Sequence, residues 1–598
     1  AKSVIKNDGV DYQQLTDAIP SNKIPNYLYQ NVGFLQFENV TEDWGLAEPS
    51  HSNGSAYGDL DNDGDLDLII NNLNEEAQIY LNQNERTHPD HHYLKIELVG
   101  SSKNYQAVGT KLTAYSSEGP LYLEQVPVKG FQSSVDPRPN FGLGGITTID
   151  SLVVEWMTGF RQTIKGVLVD TTLKLTLPDE SNYLSEVSKD TNPEEGQLFK
   201  AGNPPNFDHK ENKFDQFDRD RLLYHMLSAE GPALCQGDFN QDGKSDVFVG
   251  GAAGQSSRLF LQTPNGWKEV SAEVMDENQS SEDVDCACFD ADGDGDLDVY
   301  VASGSAEFSG NSSALIDRLY LNDGKGNLIN SNQILPSFNF ENSSCVRPSD
   351  VDGDGDLDLF VGVGTKNQLI GLPANSYLLI NDGGGNFVDQ TEALAPSMLN
   401  LGMVKDASWI DMDGDGDEDL IVVGTYMPLT LFINEDGAFV KGDVPGFLKS
   451  NGWWNTIAVG DFNEDGRPDL IVGNHGLNSR FKASEAQPVC MYINDFDNNG
   501  SIDPIICLYF GDESYPLVLR HDLITQLPGL KKKYNLYEDY KNASIKDMFD
   551  PNQLNNTILL NAYTMESVIY LNKGNGDFER SPLPMEAQIT PINDILVS

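Results

Sequence analysis

The sequence predicts an all-β fold of repeated four-stranded sheets, and three observations predict it. Apolar segments are short but frequent in a chain of 598 residues with 39% hydrophobic residues, 55 glycines and 29 prolines, the composition of a turn-rich β protein. An acidic nonapeptide recurs seven times and runs each time toward β-formers such as LDLII, LDLFVGVG or PDLIVGN. Five segments, beginning at Arg258, Arg318, Ser376, Leu429 and Val568, read as an alternating run, a Gly-rich turn and a second run, which is a hairpin.

The nonapeptide is D-x-[DN]-x-[DN]-G-x-x-D. Position 1 is Asp59, Asp238, Asp290, Asp350, Asp411, Asp461 and Asp495; position 3 is Asp61, Asn240, Asp292, Asp352, Asp413, Asn463 and Asp497. Position 5 is Asp63, Asp242, Asp294, Asp354, Asp415, Asp465 and Asn499, and position 9 is Asp67, Asp246, Asp298, Asp358, Asp419, Asp469 and Asp503. Hard oxygen donors at 1, 3, 5 and 9, glycine for a sharp turn at 6 and a main-chain carbonyl at 7 are the ligand logic of a calcium loop. Position 7 is Asp65, Lys244, Asp296, Asp356, Asp417, Arg467 and Ser501, an indifference that a main-chain ligand predicts. Unlike an EF-hand, the loop lacks a glutamate at position 12 and leads into a strand. In SWIDMDGDGDEDLIVVG six carboxylates fall within nine residues, and a cation is what removes their repulsion. Seven divalent ions, each +2, would take the formal charge from -53 to -39. The expectation is up to seven structural Ca2+.

The repeating unit is then strand, calcium loop, strand and hairpin. Loops at Asp238, Asp290, Asp350, Asp411 and Asp461 are spaced by 52, 60, 61 and 50 residues, a period of propeller blades or similar arrays. The loop at Asp495 follows after only 34 and is read as a second ion in the blade of Asp461. A further blade is expected to carry an insertion, 515–549, before its hairpin at Val568. TPINDILVS (590–598) reads as the first strand of a seventh blade, so the native polypeptide is expected to continue for roughly 40 to 60 residues.

These residues resemble the FG-GAP or VCBS repeats of seven-bladed, integrin α-like propellers, over Gly231 to Ser598. Between them and the first loop, YLKIELVG, AVGTKLTAYS, GFQSSVDPRPNFGLGG and IDSLVVEWMTGFRQTI resemble an ASPIC/UnbV domain; Trp156-Met157-Thr158-Gly159 stands where that family usually has W-P-x-G. Residues before Glu85, with YLYQNVGFLQFENVT, resemble the closing blade of an earlier propeller. The expected division is 1–86 propeller end, 87–178 ASPIC/UnbV β-domain, 179–230 linker and 231–598 propeller. Phrases such as HMLSAEGPAL, GWWNTIAVGD and DLITQLPGLKKKY are most similar to large VCBS-repeat proteins of Bacteroidota. That resemblance implies an exported protein of the cell surface, often lipid-anchored and close to SusC/SusD-like outer-membrane transporters.

Other features set limits. The charge of -53 argues against nucleic acid as a partner, and no run approaches a membrane span. Six cysteines form no disulfide framework, and Cys286 and Cys288 are read as strand thiols. Neither G-x-S-x-G, H-E-x-x-H, a Walker loop nor a dinucleotide fingerprint occurs. His91-His92 reads as a linker, Trp453-Trp454 as packing with a sugar platform as alternative, and Lys531 to Lys533 as a solvated face. The function expected is a non-enzymatic, calcium-stabilised binding or scaffold module for an envelope protein complex or a glycan. The alternative is a polysaccharide lyase or hydrolase using Arg520, His521 and Asp522.

Overall fold

The computed structural model describes residues 5–6, 9–10, 22–33, 36–178, 202–336, 340–574 and 576–597. The chain divides into two compact units, Ala1–Ala201 and Gly202–Ser598. Among the described residues no helix is long and apolar enough to cross a membrane.

In the first unit, strands Ser52–Gly58, Asp67–Asn72 and Gln78–Tyr80 form an antiparallel sheet with the first acidic loop between its first two strands. Residues 92–176 form two sheets around one core. One orders Gly119–Glu124, Lys111–Ser116, Ile149–Glu155 and Arg161–Val167; the other sets His92–Val99 between Asn140–Gly144 and Thr171–Thr176. Alternation decides what is inside: Leu94, Ile96 and Leu98 enter the core, while Tyr93, Lys95 and Glu97 take the other face.

The second unit is an array of antiparallel sheets. Its first three blades order Leu234–Gly237, Asp246–Val249, Arg258–Thr263 and Gly266–Val270; then Asp283–Phe289, Asp298–Ser303, Arg318–Leu321 and Ile329–Asn330; then Asn342–Ser349, Asp358–Thr365, Tyr377–Asn381 and Phe387–Asp389. The fourth orders Met403–Ile410, Asp419–Met427, Thr430–Glu435 and Ala438–Lys441, and the fifth Thr456–Gly460, Asp469–Gly473, Val568–Gly574 and Asp577–Pro582. Every acidic loop of these five joins the first strand to the second.

The apolar clusters lie between successive blades. Leu359 and Val361 pack toward the second blade with Tyr300 and Leu319, whereas Phe360 packs toward the fourth with Leu420, Val422 and Phe432. A strand covered on both faces needs apolar residues at every position, which is why LDLFVGVG does not alternate, and all eight residues of Asp358–Thr365 are buried. First strands of neighbouring blades run side by side. Arg347 on the third blade donates to Asp285 at 2.6 Å and Asp406 at 2.5 Å, on the blades to either side.

Several expectations change. The hairpin at Val568 does not belong to a sixth blade: its first strand pairs with Asp469–Gly473 and completes the fifth. Residues 474–567 are an insertion between strands two and three of that blade. They form their own sheet, Glu513–Pro516, Asp503–Phe510, Val489–Asn494 and Ile558–Ala562, with short helices including Arg520–Gln526. The described residues of 231–598 thus hold five blade-type sheets rather than six and the start of a seventh, and no strand is formed within 590–597. Accordingly the loop at Asp495 lies in the inserted sheet, not in the fifth blade. Of the expected linker, 179–201 lies outside the described residues, while 202–230 belongs to the second unit and buries Gln216 and Leu222 in it.

Candidate metal centres

All seven acidic loops have one backbone. Glycine at position 6 has φ between 81° and 104° in every copy, a region costly for any other residue. Position 4 is left-handed too, as Asn62, Gln241, Gly293, Gly353, Gly414, Glu464 and Asn498. The loop at Asp350 shows how the carboxylates fold the turn. Asp350 accepts from the N–H groups of Gly353 at 2.8 Å and Gly355 at 3.1 Å; Asp352 accepts from Asp354 at 3.3 Å and Asp354 from Asp356 at 3.2 Å. Asp358 receives Val351 N–H at 3.1 Å on one oxygen and Asn381 N–H at 2.8 Å on the other.

Position 9 therefore both closes the loop and ties it to the hairpin of its blade. All seven position-9 carboxylates are at most 1% exposed, so they are enclosed rather than solvated. Burial raises Asp298 to about 7 and Asp358 and Asp419 to about 6, with nearby aspartates adding to the rise and the backbone donors opposing it. At Asp495 the hairpin donor is replaced by Gln526 of the inserted helix, 2.9 Å from Asp503.

Positions 1, 3 and 9 converge. One oxygen each from Asp59, Asp61 and Asp67 lies within 4.8 Å of the others, as do those of Asp350, Asp352 and Asp358, and of Asp290, Asp292 and Asp294 at positions 1, 3 and 5. Buried oxygens of Asp59, Asp296, Asp356 and Asp497 have no hydrogen-bond partner among the described residues. An all-oxygen donor set with orphaned buried oxygens fits a hard cation such as Ca2+.

Two kinds of charge modify the set. At position 7, Lys244 bonds Asp242 at 2.9 Å and Arg467 bonds Asp465 at 2.5 Å, so in these loops a side chain already neutralises position 5. In the first loop, Lys95 from strand His92–Val99 pairs with Asp59, their side chains 3% and 2% exposed, and the Tyr93 ring packs against Gly64 where a Cβ would stand.

Hairpin asparagines are functional residues that the motif reading missed. Asn322, Asn381 and Asn434 each donate through the side chain, at 2.9 Å, to the position-2 carbonyl of the preceding blade's loop: Phe239, Ala291 and Val351. The repeated pairs Leu-Asn and Ile-Asn before each turn are the signal that would have found them.

Other candidates make local contacts. Trp453 and Trp454 are buried at 6% and 0% exposure and form no open platform. Arg520 donates to the carbonyls of Tyr534 at 2.7 Å and Asn535 at 2.5 Å, and His521 lies 2.9 Å from the Tyr537 hydroxyl and 3.3 Å from Asp522. Lys533 bonds the Asp547 carbonyl. His92 bonds Asp170 at 2.7 Å, so the junction is held rather than loose. Cys288, expected as a thiol, forms a disulfide with Cys235 between the first strands of the first two blades, while Cys286, Cys345, Cys490 and Cys507 are free and buried.

A family model described as FG-GAP-like repeat matches residues 238–301, 290–361 and 411–472, and one described as ASPIC and UnbV matches 100–182. No curated protein matches the chain. Among solved structures, an Agrocybe aegerita lectin, described for its recognition of non-reducing terminal N-acetylglucosamine, is 12% identical, with 79% of this chain and 99% of that chain covered and a TM-score of 0.28. The V. cholerae biofilm matrix protein Bap1 is 13% identical, covering 58% and 64%, with a TM-score of 0.23. At such scores neither carries an argument here.

Proposed function

We propose that this chain, an FG-GAP repeat protein with an ASPIC and UnbV domain, is a non-enzymatic, calcium-stabilised binding or scaffold protein of the bacterial cell envelope. Its partner class is an envelope protein complex or a glycan. The observation that carries the reading is the convergence of loop carboxylates within 4.8 Å around enclosed position-9 members, with buried oxygens of loop aspartates left unpartnered. Each of the six loops of the second unit takes one calcium ion, held by positions 1, 3, 5 and 9 and the position-7 carbonyl. The first loop has a resident counter-charge in Lys95 and takes calcium least readily. The ions are structural: they remove the repulsion at the turn between first and second strands and so fix the blade edges that present variable loops to a partner.

Export is supported by two facts. Extracellular modules commonly bind calcium with Kd of ~0.1 to 1 mM, a range that an extracellular supply saturates. The Cys235–Cys288 disulfide belongs to an oxidising compartment. Against the lyase or hydrolase alternative stands that Arg520 and His521 hydrogen-bond to the neighbouring inserted segment.

Thermal unfolding in calcium and in chelator tests the structural role, since a ligand bound only by the native state stabilises it by mass action. The expected result is a fall in Tm of at least about 10 °C in chelator; a curve indifferent to chelator refutes the role. Purification from native membranes in detergent with calcium, then in chelator, tests the scaffold role. A partner recovered in calcium and lost in chelator supports it; the chain alone, together with silence on glycan arrays, overturns it.

A further inference from the structure

A buried acid outside the loops is short of a partner. Glu282, immediately before the first strand of the second blade, is 1% exposed. One of its oxygens accepts from Ala253 N–H at 2.7 Å, and the other has no partner among the described residues. His209 and Glu211, in the segment before the first blade, face it: one ligating atom from each of the three residues lies within 4.8 Å of the other two. In extended chain, residues two apart project to the same side, which is how His209 and Glu211 reach one point. His209 Nε2 is 2.8 Å from Glu211, while its Nδ1 is buried and unpartnered among the described residues.

The segment is positioned for this. Lys210 N–H donates to the Gln255 side chain at 2.8 Å, Gln255 donates back to the Asp208 carbonyl at 2.9 Å, and Asn212 donates to Glu307 at 2.6 Å. Glu211, Asp283 and Glu307 surround Glu282 with negative charge. These neighbours carry like charge, and none of them offers Glu282 a cation. Arg318, the nearby guanidinium, is committed to Asp283.

We propose that His209, Glu211 and Glu282 hold a divalent transition cation such as zinc, pinning the segment before the first blade to the junction of the first and second blades. An imidazole nitrogen with two carboxylates suits such an ion, whereas calcium takes oxygen donors alone. Three protein ligands leave one coordination position for water. This site shares no residue with the acidic loops and stands whether or not they hold calcium.

Cobalt is the probe, because its visible absorption reports nitrogen and oxygen ligation directly. The full chain is saturated with calcium to occupy the loops, then titrated with Co2+ by equilibrium dialysis and absorption spectroscopy. One cobalt ion per chain is expected beyond the calcium-blocked background, with affinity falling at least tenfold in His209→Ala and in Glu282→Gln. The glutamine keeps an oxygen for Ala253 N–H, so this variant folds; Glu211→Gln, at a more exposed position, is a second variant expected to weaken cobalt binding. Absence of that cobalt ion from the wild-type chain, or retention of wild-type affinity in all three variants, overturns the proposal.

Discussion

Lys95 distinguishes the first acidic loop from the other six. Its ammonium and the Asp59 carboxylate are both removed from water, and each is tolerable only because of the other. In Lys95→Met the methyl end fills much the same space and Asp59 is left without its partner, so the variant is expected to lose about 3–5 kcal/mol in chelator. Millimolar calcium is expected to restore part of that loss, since the loop regains a cation; denaturant unfolding of both proteins in both buffers checks it, and a loss below about 1 kcal/mol in chelator contradicts the assignment. The clustering of loop positions 1, 3, 5 and 9 was legible because those carboxylates are local in sequence. Lys95 was not, because a lysine alternating with Leu94 and Ile96 reads as solvent-facing, and nothing in YLKIELVG says that this face meets a loop 36 residues earlier. Asp317 is another buried acid. It is fully buried, accepts from Ser303 N–H at 2.7 Å, the Tyr300 hydroxyl at 3.0 Å and Ser343 at 2.9 Å, and burial still raises it to about 7. A carboxyl raised on folding binds more protons in the native than in the unfolded state, so stability falls as pH rises from about 4 to about 7. Asp317→Asn is expected to match the wild type near pH 4 and exceed it at pH 8, which chemical denaturation across that range measures.

Among the elements, the hairpin asparagines tie each blade to the loop of the one before it. Asn434 joins three things: its N–H bonds Asp419 at 2.8 Å, its side-chain oxygen receives Gly437 N–H at 2.8 Å, and its amide donates to Val351 in the third blade's loop at 2.9 Å. Asn434→Ala leaves the buried Val351 carbonyl and Gly437 N–H without those partners, a loss of about 1–3 kcal/mol for each group left unsatisfied. Because Val351 sits between Asp350 and Asp352, the same variant is expected to weaken calcium at the third blade's loop although it lies on the fourth. Urea unfolding with and without calcium checks both effects; a loss independent of calcium would mean that the asparagine braces the sheet alone. Hairpins were legible from alternation and Gly-rich turns, but their partners were not. Strand Val568–Gly574 closes on Asp469–Gly473 across nearly a hundred residues, Asn572 N–H reaching Asp469 at 2.7 Å. A period measured along the chain misses a pairing that steps over an insertion, which is how one blade with a guest sheet read as two.

At the scale of the whole molecule, the chain carries a formal charge of -53, and the second unit holds its acidic blades together with interactions that the sequence scatters over separate repeats. Cys235 and Cys288 are 53 residues apart, and they meet only because the first strands of successive blades are neighbours. Spacing rules find cysteines paired within one motif; these belong to two, so a thiol reading of Cys286-x-Cys288 was the natural one. Such a bond acts mainly on the unfolded chain by closing a loop, whereas the calcium proposed for the loops would bind only the folded state. The two stabilisations should therefore be separable. Reduction in saturating calcium, or Cys235→Ser with Cys288→Ser, is expected to cost about 2–4 kcal/mol on the loop-closure scale while leaving calcium stoichiometry unchanged. Chelation is expected to lower stability in both oxidised and reduced protein. Thiol counting under denaturing, non-reducing conditions is the direct check. Four reactive thiols agree with the bond, and six exclude it; a calcium stoichiometry that falls on reduction would show instead that the loops depend on the covalent link between their first strands.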